Sequence, residues 1–401
     1  MDSKLCVTCR GKSFCGKPYC PILSSLTESK KEEFNLKKEI FGSSPPSIFI
    51  GRVNYPEVRA GPALPPFLGN TSIYDLPELW VEIPIEKIVE MRSSLILANL
   101  NINVRNTSSK EALLLQEVAL YNKPVELEVS FEKIPKPRII LDDFHPPMGP
   151  SAPARQLRIC STPKAPAEVE KVYEDGEMSA IEAIKYLYEK GIAVSHIQKL
   201  LSAGTLGRER RFVPTRWAIT AVDDTISKLL VREIKHYNLI DSYQVFVFES
   251  SKNLFMVILM PSEWSFEWGE AWYPNTTWNF GNDVLVDIDW EGYKERKTYA
   301  STGGCYYSAR LAIAEYLRSV KRQASAIVWR EIYPGFKTAI GVWFVREMLR
   351  KCLSQNCECF EELKDALNYL SNYSKFGVSK WVERSKILGF KRKQARLWDF
   401  S

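Results

Sequence analysis

Four of the nine cysteines fall within the first twenty residues, as Cys6-x2-Cys9-x5-Cys15-x4-Cys20. This spacing constrains the start of the fold more than any other feature of the chain. The residues between the cysteines are basic (Arg10, Lys12, Lys17) or turn formers (Gly11, Gly16, Pro18). So short a stretch has no apolar core of its own, and metal binding is what would order it. Four thiolates complete a tetrahedral Zn²⁺ shell. An all-cysteine set also suits an iron–sulfur cluster, with zinc the first expectation. Arg10, Lys12 and Lys17 suggest phosphate contact, or serve only to keep a small module in solution.

The start Met-Asp-Ser-Lys-Leu-Cys has no apolar signal segment. The longest apolar runs, Leu254–Met260 and Ala339–Val345, fall far short of the roughly 20 residues of a membrane helix. A soluble cytoplasmic protein is expected, with no membrane partner. Thiols stay reduced there, so grouped cysteines point to metal before disulfides. At 401 residues, 45% hydrophobic and 25% charged, the chain has material for two ordinary cores. A net charge of +6 permits contact with nucleic acid without demanding it.

Pattern predicts an α+β fold: a four-cysteine metal knuckle (1–24), a mixed α/β domain (40–150), a second mixed α/β domain (156–390) and a free C-terminal tail (391–401). Ser47–Val53 reads as a buried strand, and Pro62, Pro65 and Pro66 argue against regular structure after it. Pro84–Ala98 and Glu111–Tyr121 read as helices, and Val125–Phe131 alternates as a strand. Phe144–Ala154, with four prolines, reads as the linker between domains. Ser179–Lys190 and Ser195–Ser202 are spaced like a helix-turn-helix, but the second helix offers only His196, Gln198 and Lys199 as long polar reach. A helix is expected from about Thr225 to Tyr237, then a hairpin of Tyr243–Glu249 and Leu254–Met260. An alternating strand at Asp283–Asp289 and helices at Tyr307–Val320, Phe344–Leu353 and Phe360–Leu370 complete the reading.

Four stretches can carry chemistry. Gly51-Arg52-Val53-Asn54-Tyr55-Pro56 places Arg52 and Asn54 at a strand end, as a polar site or as an ordinary turn. Arg210, Arg211 and Arg216 can clamp phosphate, and Asp223-Asp224 can hold Mg²⁺, or one of the two can cap the helix that follows. Ser301-Thr302-Gly303-Gly304 precedes a helix carrying Arg310 and leaves its first amides open to an anion, with Tyr306 and Tyr307 as stacking faces. Trp264, Trp268, Trp272, Trp278 and Trp290 serve as stacking platforms or as core. The chain has three histidines, none in a metal-ligand pair or beside a serine elbow, so His-based acid–base chemistry lacks its usual players. Cys352, Cys357 and Cys359 are too irregularly spaced to define a second metal site.

The last stretch, Gln394-Ala395-Arg396-Leu397-Trp398-Asp399-Phe400-Ser401, spaces Gln394, Leu397 and Phe400 three apart, the period of a 3₁₀ turn. It resembles the motif by which proteins dock on the ring-shaped DNA sliding clamp, PCNA, with the glutamine in a polar pocket and the apolar side chains in a hydrophobic one. That motif usually ends in two aromatics. Here Ser401 holds the second place, which lowers the expected affinity unless Trp398 compensates. The bland alternative is that Leu397 and Phe400 pack on their own chain.

Taken together, these pieces resemble the archaeal Nre family, proteins tied to DNA repair that bind the sliding clamp. The resemblance rests on the four cysteines, the Gly51–Pro56 run, and Val213-Pro214-Thr215-Arg216-Trp217-Ala218-Ile219-Thr220-Ala221-Val222-Asp223-Asp224. It rests also on Ser301–Gly304 with Tyr306-Tyr307-Ser308-Ala309-Arg310, and on the glutamine-led tail. It implies a metal-binding N-terminus directed at DNA, clamp binding through Gln394, Leu397 and Phe400, and a nucleoid-associated location. It supplies no assured catalytic residue. Two other readings stay open: an enzyme acting on nucleotides or a phosphodiester, with Arg211, Arg216, Asp223, Asp224 and Arg310 in one pocket, and an adaptor without chemistry of its own.

Overall fold

A computed structural model of the chain describes residues 2–12, 14–17, 20–28 and 36–389. Two compact units are built from interrupted segments. The N-unit takes residues 23–226 and 339–343, and the C-unit takes 1–22, 227–338 and 344–401. Helices α1 (Ser3–Cys9) and α2 (Pro21–Glu28) come first in the chain.

The N-unit holds β1 (Glu39–Ser44), β2 (Ser47–Ile50), β3 (Glu57–Leu64), α3 (Ile85–Ser93), β4 (Ile96–Asn103), α4 (Lys110–Leu120), β5 (Val125–Phe131) and β6 (Ser151–Ile159). Then follow α5 (Ala167–Glu174), α6 (Ala180–Glu189), α7 (Val194–Ser202) and the first part of α8 (Thr215–Ile234). Its sheet has six strands in the order β1-β5-β6-β4-β3-β2. Among its pairs only β4–β6 is parallel. The period of two in β5 buries Val125, Leu127, Val129 and Phe131, which pack with Val118 and Ala119 of α4. Ser109 caps α4 by accepting from the Ala112 amide.

Three expectations are corrected here. Pro62 lies inside β3 rather than ending regular structure. The ladder to β2 runs through it, while the ladder to β4 skips Gly61 and Pro62, so the missing proline N–H interrupts one edge only. Gly61 also lets the strands approach, since a Cβ there would lie 1.8 Å from the Ala98 carbonyl oxygen. The helix expected over Pro84–Ala98 stops at Ser93, and Ile96–Ala98 open β4. Finally, the proline-rich stretch is no boundary: Leu97, Ala98 and Asn99 of β4 pair with Ser151, Ala152 and Pro153 of β6 in one sheet. The helix-turn-helix spacing is real, but His196 and Gln198 are buried and Lys199 pairs with Asp75 at 3.5 Å, so α7 has no side chains to offer a groove.

The C-unit holds β7 (Tyr243–Ser250), β8 (Asn253–Met260), β9 (Ser265–Trp272), β10 (Leu285–Glu291), α9 (Gly304–Val320), β11 (Ser325–Ile332), α10 (Trp343–Leu353), β12 (Glu358–Phe360), α11 (Leu363–Leu370) and α12 (Val378–Arg384). Its six strands run β10-β9-β11-β8-β7-β12, with β9–β11 the parallel pair. Both residues between β7 and β8, Ser251 and Lys252, have positive φ, the turn that matches the twist of a two-residue hairpin. Strands β8 and β11 are buried throughout. Trp264, Trp268, Trp272 and Trp278 are buried core residues, not exposed platforms, as their apolar area favours. The chain thus forms two mixed α/β units with a six-stranded sheet in each, with bounds other than those expected. Among the described residues, no helix is long and apolar enough to cross a membrane.

Candidate functional site

The four N-terminal cysteines belong to the C-unit. Cys6 and Cys9 stand three apart on α1, one above the other on the same helix face. The chain then reverses through Arg10 and Gly11, both with positive φ. Cys6, Cys9, Cys15 and Cys20 line one cavity of about 250 Å³ with Leu5, Lys17, Ile22 and Trp278. Burial raises the Cys6 thiol pKa, and the nearby Cys20, Cys9 and Cys15 raise it further. The Phe14 amide donates to Cys9 Sγ at 3.3 Å. Among the described residues, no three His, Cys, Asp or Glu side chains form a ready metal shell. The donor set nevertheless suits a soft cation: four thiols on one cavity, one of them already accepting a backbone N–H.

Arg10 is not available for phosphate. It is 1% exposed, pairs with Glu270 at 2.5 Å and Asp287 at 3.4 Å, and lies over the Trp272 ring at 5.2 Å. It also donates to the carbonyls of Val7 and Thr302. Val7 and Ile22 of the module are buried as well, and the Arg10 pairs fasten it to β9 and β10. Its order therefore does not rest on metal alone, as sequence reasoning supposed. The missed signal was a short apolar set, Val7 and Ile22, hidden among polar residues.

The glycine turn is part of the same packing. Thr302, Gly303 and Gly304 are buried and only Ser301 is exposed, with the Ser301 amide donating to Asp289 Oδ2 at 2.6 Å. Tyr306 and Tyr307 are buried too, so they present no face for a base. Tyr307 Oη accepts from the Ala300 amide. Arg310 is 1% exposed, with Nη1 on Glu291 at 2.8 Å and Nε on Ser227 Oγ at 3.1 Å.

Arg211, Arg216, Asp223 and Asp224 belong to the N-unit, whereas Arg310 belongs to the C-unit. Helix α8 begins at Thr215 rather than near Thr225. Pro214 takes the capping place, its carbonyl accepting from Trp217 and Ala218, and so the aspartates sit in mid-helix and cap nothing. Asp223 is buried and accepts from Gln198 Nε2 at 2.8 Å. Adjacent helical residues point about 100° apart, so Asp223 and Asp224 do not converge on one ion. Arg216 lies 3.6 Å over the Phe144 ring and 3.8 Å from Asp142. Burial acts to raise the Asp142 pKa, but His145, Arg216 and two backbone amides outweigh it and lower the value.

The first sequence motif does meet the second. The Ile50 amide, at the end of β2, donates to Thr215 Oγ1 at 2.9 Å. Val104 donates to the Pro56 carbonyl at 3.1 Å and accepts from Phe212 at 2.9 Å. These bonds gather the Gly51–Pro56 loop, the residues after β4 and the start of α8. Arg52 and Asn54 are exposed on that loop, and Asn54 takes positive φ, as asparagine tolerates. Arg211 is exposed beside Glu209 at 2.5 Å. The tail residues Gln394, Leu397, Trp398 and Phe400 lie outside the described residues.

A model of the N-terminal part of archaeal Nre proteins matches residues 14–279, and one of the C-terminal part matches 291–400. The chain belongs to the archaeal Nre family. A curated Nre relative from Archaeoglobus fulgidus, named DNA repair protein NreB, is 55% identical over 98% of this chain and 99% of its own length. A second from that organism, DNA repair protein NreA, is 39% identical over 92% and 94%. DNA repair protein NreA of Haloferax volcanii is 34% identical over 86% of each. The Nre family match spans the glycine turn and the α8 start and takes in Cys15 and Cys20 of the cysteine module, so the stretches described above lie within or beside it.

Proposed function

We propose that this Nre chain is a DNA repair protein brought to DNA by the sliding clamp. One observation carries the reading: near end-to-end similarity to relatives named for DNA repair. In this reading Gln394, Leu397 and Phe400 engage PCNA, with Trp398 beside them and Ser401 moderating affinity. Tethering raises the effective concentration at a site of replication or damage. Replacing Gln394, Leu397 and Phe400 together by alanine is expected to abolish co-elution with PCNA in size-exclusion chromatography and to leave the unfolding midpoint unchanged. Undiminished co-elution would falsify clamp docking through this segment.

The same reading assigns Cys6, Cys9, Cys15 and Cys20 to one Zn²⁺, which would brace the module structurally and leave no open position for chemistry. Their shared cavity supports it. Elemental analysis of purified protein is expected to give one zinc per chain, lost in Cys9→Ser or Cys15→Ser. Iron in stoichiometric amount would replace zinc by a cluster, and no metal would remove the assignment. The nucleotide- or phosphodiester-processing alternative has no observation in its favour, because Arg310 is taken up by Glu291 and Asp223 by Gln198.

A further inference from the structure

The loop after β2 and the first turn of α8 present an aromatic pair to solvent. Tyr55 and Trp217 are 45% and 46% exposed, and Val53 beside Tyr55 is 75% exposed. The two ring centroids lie 5.4 Å apart, so the rings pack on each other while a large share of each residue stays open to solvent. Isolated exposed aromatics are common. Here two come from segments more than 150 positions apart, held together by the Ile50–Thr215 bond, whose partners are 165 residues apart. Two exposed arginines accompany the pair. Arg52 lies on the same loop as Tyr55, and Arg105 follows Val104, which is bonded to Pro56; both arginines are exposed. Of the acids next to these segments in the chain, Glu57 accepts from Asn103 Nδ2 and Glu209 pairs with Arg211.

We propose that Tyr55 and Trp217 form a stacking platform for single-stranded DNA, with Arg52 and Arg105 contacting its phosphates. Aromatic faces bind bases only where the bases are unstacked, and guanidinium groups add the backbone contacts that such platforms use. Duplex DNA hides its base faces and does not fit this pair. The choice of DNA over RNA rests on the repair reading; the platform itself rests on the exposed rings and arginines.

The test uses the full chain and fluorescein-labelled oligo(dT) of about 16 nucleotides, a length that spans a typical single-strand site, with anisotropy read over a salt series. Tyr55→Ala with Trp217→Ala is expected to weaken binding about tenfold or more at an unchanged salt slope, while Trp217→Phe retains most of the affinity. Arg52→Gln with Arg105→Gln is expected to lower the slope of log K against log salt by about 0.7 for each lost contact. An unchanged affinity in the double alanine variant, with its unfolding midpoint intact, would overturn the platform. So would failure of the wild-type chain to bind oligo(dT), or tighter binding of duplex or of oligo(U). Clamp co-elution is an independent readout: a chain that co-elutes but ignores oligo(dT) keeps the repair reading and loses this one.

Discussion

Glu331 and Glu267 show how single residues hold the C-unit together. Glu331 is fully buried on β11 and accepts from Ser374 Oγ, the Lys375 and Phe376 amides, Trp381 Nε1 and Tyr333 Oη. Glu267 on β9 likewise receives the Lys386 and Ile387 amides and Trp329 Nε1. A buried carboxylate is tolerated when several donors replace its water. His196 in the N-unit solves the opposite problem. Burial, and next Lys199, lower its pKa to about 3, while its Nε2 sits 2.9 Å from the Ala119 carbonyl. The folded state therefore keeps this imidazole neutral where the unfolded chain, with a value of about 6.5, binds a proton. The stability it contributes is present above pH 6.5 and lost as pH falls toward 3. Between pH 7 and pH 5 the loss is expected to be about 2 kcal/mol from this group, read by urea denaturation. His196→Gln keeps a donor for Ala119 and is expected to flatten that slope; an unchanged slope would assign it elsewhere.

At the scale of elements, α1 is the informative case. Its seven residues are too few to be helical alone, and its docking through Arg10 supplies the missing stabilisation. Arg10→Ala leaves Glu270 with Arg330 as its remaining partner at 3.0 Å, in a fully buried setting. A loss of about 3 kcal/mol is expected, seen as a lower denaturation midpoint. Legibility followed the same physics. Strand β5 was readable because its inner face alone is apolar, and the β7–β8 hairpin because two such runs flank a short polar turn. Strand β11 was not, since it buries Arg330 and Glu331 in ion pairs and hydrogen bonds that a hydropathy pattern cannot show. The start of α8 was marked by Pro214 and overlooked because the Asp223-Asp224 pair offered a more familiar cap. The candidate site divides likewise. The four cysteines are close in sequence and line one cavity, but no local pattern tells that Arg10 is enclosed or that Tyr55 and Trp217 meet, because both depend on contacts across distant segments.

At the scale of the molecule, the C-unit encloses the N-unit in chain order: it owns residues 1–22 and resumes only at 227. The carboxylate that Arg10 meets on β10, Asp287, lies 277 positions further on. Ribosomes add roughly 5–20 residues per second, so at that pace about 15–55 s pass between the two residues leaving the peptidyl-transferase centre. Throughout that interval the four thiols ride on a nascent segment with no sheet to rest against. In the zinc reading proposed above, the thiols would be open to a cation before Trp278 of their cavity has been translated, which would make loading an event of synthesis and fastening one of completion.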